Sequence, residues 1–135
     1  MDYSEVLTFW FEEIERKAWF RKDPAFDAAL CDRFGEVHAR ACAAELFAWR
    51  AEPLGRLAEV IVLDQFSRNI YRDDPRAFAQ DPLALALAQE AIARGAHEAV
   101  TQDERVFFYM PYMHSESRIV HEVALELFAE PGMED

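Results

Sequence analysis

The chain has 135 residues, a length that fits one domain, and sets 14 lysine and arginine against 26 aspartate and glutamate for a net charge of −12. So acidic a chain is not drawn to phosphate backbones or anionic membranes by its overall field, which predicts neither a nucleic-acid nor a membrane partner. Hydrophobic residues at 52% and aromatics at 13% exclude the composition of a disordered chain.

The N-terminus, Met1-Asp2-Tyr3-Ser4-Glu5, lacks the basic start of a signal peptide. No apolar run reaches the ~18 residues a membrane span needs. Cys31 and Cys42 are eleven positions apart in one predicted helix, about 16 Å along its axis and too far for a disulfide. They read as reduced thiols acting as small core hydrophobes, and the protein as cytoplasmic.

With 22 alanines, 4 glycines and no strand-like alternation, the sequence favours helix almost throughout. The first predicted helix runs from Ser4 to Ile14, with Val6, Trp10 and Ile14 on one stripe. Asp23-Pro24 starts the second, which carries Phe26, Leu30, Phe34 and Val37 inward and continues through the alanines to Trp49. Pro53 opens a third helix that is apolar on several sides, and Asp73-Asp74-Pro75 is a turn. Asp81-Pro82 repeats the cap-and-proline start, and Gly95 stops that helix after a stripe of Ala84, Leu87, Ala88 and Ala91. Thr101 to Glu104 reads as a capping box for a short helix that Pro111 ends. Ser115 caps a last helix carrying Val120, Val123, Ala124 and Leu127, with Gly132 beyond it. The expectation is an all-α domain over residues 1–135, about six antiparallel helices with short connections.

Two stretches direct polar groups inward. Asp64 lies seven residues after Leu57 and three after Ile61, on the apolar stripe of the third helix. A buried carboxylate needs a partner, and Arg68 at i+4 is the local cation, with Arg72 at the next i+4. Of the 14 basic residues 12 are arginine, whose planar fork suits carboxylate or phosphate. In the second stretch, Glu104 to Glu116, Tyr109, Tyr112 and Met113 form a polar-tipped wall. Here Glu104 has a role as capping partner, and Glu116 tilts toward the buried face of the last helix. His114 lies just before a helix start, as acid–base group or hydrogen-bond donor. No ligand spacing points to a metal, and there is no Gly-rich phosphate loop, Gly-x-Ser-x-Gly elbow or cofactor motif.

Four stretches resemble a bacterial family known as domain of unknown function 924: Val6 to Phe11, Leu63 to Arg72, Pro75 to Asp81, and Glu104 to Glu116. Their order and spacing span almost the whole chain. The resemblance implies tetratricopeptide-like helix hairpins in a family without an agreed reaction. The sequence departs from the family pattern at Ser67, Tyr112 and Ser117, where proline, phenylalanine and aspartate are usual. The first departure relaxes the end of the third helix, and the third removes a carboxylate beside Glu116. Relatives usually continue into a segment rich in histidine, arginine and phenylalanine. Its absence here would expose apolar surface and promote self-association into homo-oligomers.

Three functional readings follow. The leading one is a binding module whose pocket takes a small anionic ligand or peptide carboxylate, with Arg68, Arg72, Asn69, Tyr109, Arg105 and Ser115 as ligand-binding candidates. The second is a hydrolase-type acid–base enzyme using His114 with Glu116 or Asp64. The third is a structural protein in which both stretches are buried ion pairs. The first two require the middle and the latter third of the chain to meet at one hollow.

Overall fold

The computed structural model describes residues 1–133, and its secondary structure there is helical, with no strand among the described residues. Helix α1 (Tyr3–Thr8) starts on a capping box, Asp2 accepting from the Ser4 amide and Glu5 reaching back to the Asp2 amide. It runs on as a π-helical turn, Phe9–Glu13, and ends where Ile14 becomes extended. Helix α2 (Pro24–Cys42) begins as predicted, with the Asp23 carboxylate accepting from the Ala25 and Phe26 amides.

It does not continue to Trp49. The chain breaks at Ala44, whose φ of 59° is left-handed, and re-forms as a 3₁₀ turn over Phe47–Ala51. Alanine propensity favours continuing the helix, but the break buries Leu46 and brings the next helix against Trp49. Gly55 makes that approach possible, since a Cβ there would lie 2.0 Å from the Trp49 carbonyl oxygen.

The central rod comprises α3 (Pro53–Ile61), a second π-helical turn (Val62–Phe66) and α4 (Ser67–Ile70). Leu57, Ala58, Val60, Ile61, Val62, Leu63 and Phe66 are all fully buried. Elements on several sides cover it: α1, α2, α5 (Asp81–Ala93) and α6 (Gln102–His114), while α7 (Arg118–Phe128) packs on α6. The alanine stripe of α5, Ala84, Ala88 and Ala91, is fully buried and lets α5 sit close to the rod. Both π-helical turns meet in an aromatic cluster in which Phe66 contacts Phe9, Trp10 and Phe34 at centroid separations of 5.1 to 6.1 Å.

Other boundaries differ from the sequence reading. Asp81 is the first residue inside α5, not its cap, because Gln80 occupies the cap position. Pro111 lies within α6, which continues to His114. Near a helix end its missing N–H strips a partner from one carbonyl only, and the buried ring offsets this by packing. Ser115 is the C-cap of α6, and Ser117 caps α7 by accepting from the Val120 amide. An aspartate at position 117 would serve the same cap, so Ser117 keeps that function without the charge. On α7 only Ala124 is fully buried, and Ile119 and Leu125 are exposed. Cys31 is exposed rather than a core residue, while Cys42 is half-buried. No described helix is long and apolar enough to cross a membrane.

The glycines yield opposite expectations. Gly55→Ala forces the rod away from Trp49 and should lower the unfolding free energy by about 1–3 kcal/mol in urea titrations. Gly35→Ala, where the added Cβ meets only Cys31 Sγ at an ordinary 3.7 Å, should raise it by about 0.5–1 kcal/mol.

Candidate functional site

Asp64 occupies the π-helical turn of the central rod and is 1% exposed. Three side chains satisfy its carboxylate. Gln65 Nε2 donates to Oδ2 at 2.8 Å, His114 Nδ1 meets Oδ1 at 2.8 Å, and Arg68 Nη1 reaches Oδ1 at 3.4 Å and the Asp64 carbonyl at 2.8 Å. A carboxylate only accepts, so the His114 proton facing it sits on Nδ1, leaving Nε2 as the other ring nitrogen. Nε2 has no protein partner among the described residues. The two polar stretches of the sequence, 50 positions apart at this bond, therefore meet.

Arg68 extends the network. Its Nη1 and Nη2 donate to Asp81 Oδ1 and Oδ2 at 2.8 and 2.9 Å, and its guanidinium lies over the Phe78 ring at 5.3 Å. Asp81 is available for this because it does not serve as a cap. Beside these groups opens a pocket of about 630 Å³ lined by Arg68, Phe78, Asp81, Pro82, Leu85, Pro111, His114, Ser115 and Glu116. Its walls are mostly apolar with a few convergent polar groups, the usual make-up of a small-molecule site.

The structure brings Asp64, Arg68, His114, Ser115 and Glu116 together here, and places the other candidates elsewhere. Arg72 lies past the end of α4 and pairs with Asp27 at 2.6 Å. Asn69 donates to the same aspartate at 2.8 Å, so α2 and α4 are tied through one carboxylate. Tyr109 is fully buried and donates to Glu130 at 2.6 Å, joining α6 to the chain beyond α7. Burial and that carboxylate push its hydroxyl well above the usual phenol range. Arg105 donates to the His97 carbonyl at 2.9 Å. Glu104 closes the capping box predicted for it. Glu116 is exposed in the extended link before α7, so it borders the pocket rather than facing the last helix's buried side. His114 ends α6 instead of preceding a helix.

Charge changes the chemistry expected here. In the lining Arg68 is the one arginine or lysine, against the carboxylates of Asp81 and Glu116, and the buried Asp64 carboxylate lies behind it. That balance opposes the small anion anticipated from the arginines. Sequence reasoning missed Asp81, Phe78, Pro82 and Leu85. The Asp-Pro pair is a cap signal on its face, and nothing local marks its carboxylate as the partner of an arginine thirteen residues earlier. Among the described residues no group of three or more His, Cys, Asp or Glu side chains is placed to hold a metal ion.

The model of the bacterial protein family of unknown function DUF924 matches residues 6–135. The chain belongs to this family. It is also similar to a solved structure, a protein of unknown function from Agrobacterium tumefaciens, ATU0120, with 40% identity over 93% of this chain and 71% of that chain, and a TM-score of 0.89. No curated protein matches it. Ser67, a departure from the DUF924 pattern anticipated above, does not loosen the rod: it is fully buried, starts α4 and hydrogen-bonds His38 Nε2 through its hydroxyl at 2.7 Å.

Two outcomes are expected. Arg68→Ala leaves Asp64 and Asp81 without their cation and should cost about 3 kcal/mol of unfolding free energy, measured in urea. Burial holds His38 below its ordinary value of 6.5, so the native state resists taking up the proton that the unfolded chain accepts. Its stabilising contribution is therefore full above pH 6.5 and falls as pH drops below it. Unfolding at about pH 7.5 and about pH 5.5 should show this loss in the wild type and a smaller one in His38→Gln.

Proposed function

We propose that this DUF924 protein is an acid–base enzyme whose working group is His114, acting on a small, uncharged or cationic substrate with an apolar body. One observation carries the reading: the 2.8 Å bond from His114 Nδ1 to the buried Asp64, on a ring that lines the pocket. A carboxylate at Nδ1 holds the imidazole in one tautomer and one orientation, with Nε2 bare to take a proton from water or from a substrate hydroxyl. Asp64 is the positioning residue, itself fixed by Gln65 and Arg68. Glu116 at the rim is a second proton carrier within the same lining. Phe78, Pro82, Leu85 and Pro111 supply the apolar contact that seats a substrate.

The same apolar walls support a second reading, a binding module in which Nε2 is a hydrogen-bond acceptor and no bond is broken. Turnover separates the two.

Nitrogen-15 NMR of the histidine rings should find the His114 proton on Nδ1 near neutral pH, and a proton on Nε2 instead removes the proposed base. In a screen of neutral esters and amides, turnover should fall by about 10²–10⁴ in His114→Gln with the helical circular dichroism unchanged. Asp64→Asn should lower kcat more than it raises KM. Equal turnover in His114→Gln rejects the enzyme reading.

A further inference from the structure

The basic side chains of this acidic protein are unevenly placed. Three arginines, Arg50, Arg56 and Arg94, line one hollow of about 390 Å³ whose remaining wall is alanine, proline and Gly95, with no carboxylate in the lining. Two of the three are pinned from outside it. Arg50 donates through Nε and Nη2 to Glu59, at 2.8 and 2.7 Å, and the Glu59 side chain is 1% exposed. Arg94 donates through Nε to Glu90 at 2.6 Å. Each guanidinium carries five N–H donors, so these bonds orient the forks while leaving most donors unused. Arg56 has no ion pair within 4.0 Å among the described residues, but its charge helps to hold the Glu90 carboxyl below its usual range, after the Arg94 contacts.

The charge balance is the reverse of that at the His114 pocket. The lining itself holds three guanidinium groups and no carboxylate on a chain of net −12, with Glu59 and Glu90 bonded to two of them from outside and Glu52 and Glu98 flanking the lining residues in sequence. Pro53 opens α3 in the same wall, and Glu52, the residue before it, makes no side-chain cap bond to that helix. The alanine, proline and glycine wall puts no bulky side chain between an incoming ion and the guanidinium groups.

We propose that this hollow binds a phosphoryl group. A guanidinium fork presents parallel N–H groups to two oxygens at once. One fork satisfies the two oxygens of a carboxylate, whereas the unused donors of three forks in one lining suit the several oxygens and double charge of a phosphate. The site is separate from the His114 pocket and does not depend on catalysis there.

The test is titration of the full chain with inorganic phosphate at low ionic strength, followed by amide NMR. Gly95 and Ala96 should shift saturably, and acetate at equal ionic strength should bind about tenfold more weakly or worse. Arg56→Ala should weaken phosphate binding by about tenfold, Arg56→Lys by less, and Arg76→Ala, at an exposed arginine paired with Asp74, by less than about twofold. Phenyl phosphate binding more tightly than inorganic phosphate assigns the site to phosphomonoesters, and the reverse order assigns it to the free ion. An unchanged titration in Arg56→Ala with the fold intact, or shifts reproduced by chloride alone, overturns the proposal.

Discussion

A carboxylate sits where the packing of the central rod leaves it almost no water. Asp64 is enclosed by the same turn that buries Val62, Leu63 and Phe66, and an unpaired charge there would cost several kcal/mol. Its partners are therefore obligatory, and they come from different parts of the chain: Gln65 and Arg68 from the rod, His114 from the end of α6. Satisfying one buried charge fixes where α6 ends relative to the rod. The Arg68 guanidinium then needs further acceptors, and Asp81 at the start of α5 supplies them. One requirement of electrostatics thus draws three elements to the edge of one pocket.

The π-helical turn belongs to this account. Such turns insert an extra residue into a helical repeat and are frequent at functional sites. Here the turn carries Asp64 and Gln65 together, while Phe66 at its end locks into the aromatic cluster of Phe9, Trp10 and Phe34. The polar side and the apolar side of the same turn are both fully committed. That rigidity is what an imidazole needs if its orientation is to be held within a hydrogen bond's tolerance.

Arginine serves two distinct purposes in this molecule. Arg68, Arg72 and Arg50 each neutralise a buried or half-buried acid and tie elements together. Arg56 and Arg94 stand beside Arg50 in one hollow without a carboxylate in its lining, although Arg94 is itself held by Glu90. The residue type is the same, and Arg50 serves both purposes, tied to Glu59 while keeping donors that no carboxylate takes.

Much of this was legible in the residues themselves. Alanine-rich composition, the Asp23-Pro24 start, the Gly95 stop and the Thr101–Glu104 box are local signals, and local hydrogen bonding realises each of them. The inward aim of Asp64 was equally readable, because helical spacing after Leu57 and Ile61 leaves it no other face. Tertiary packing decided the rest. The break at Ala44 overrides alanine's helical preference to bring Trp49 against Gly55, and Pro111 stays inside α6 because the loss of one late hydrogen bond is small beside its burial. The partners of Arg72, Asn69 and Tyr109 lie far along the chain, at Asp27 and Glu130, where no periodicity could announce them. By itself the sequence determined that the chain is helical and that a charge must be buried at position 64, since both follow from neighbours within a few residues. Only the three-dimensional packing decided which distant imidazole meets that charge, because such a pairing is set by where whole helices come to rest.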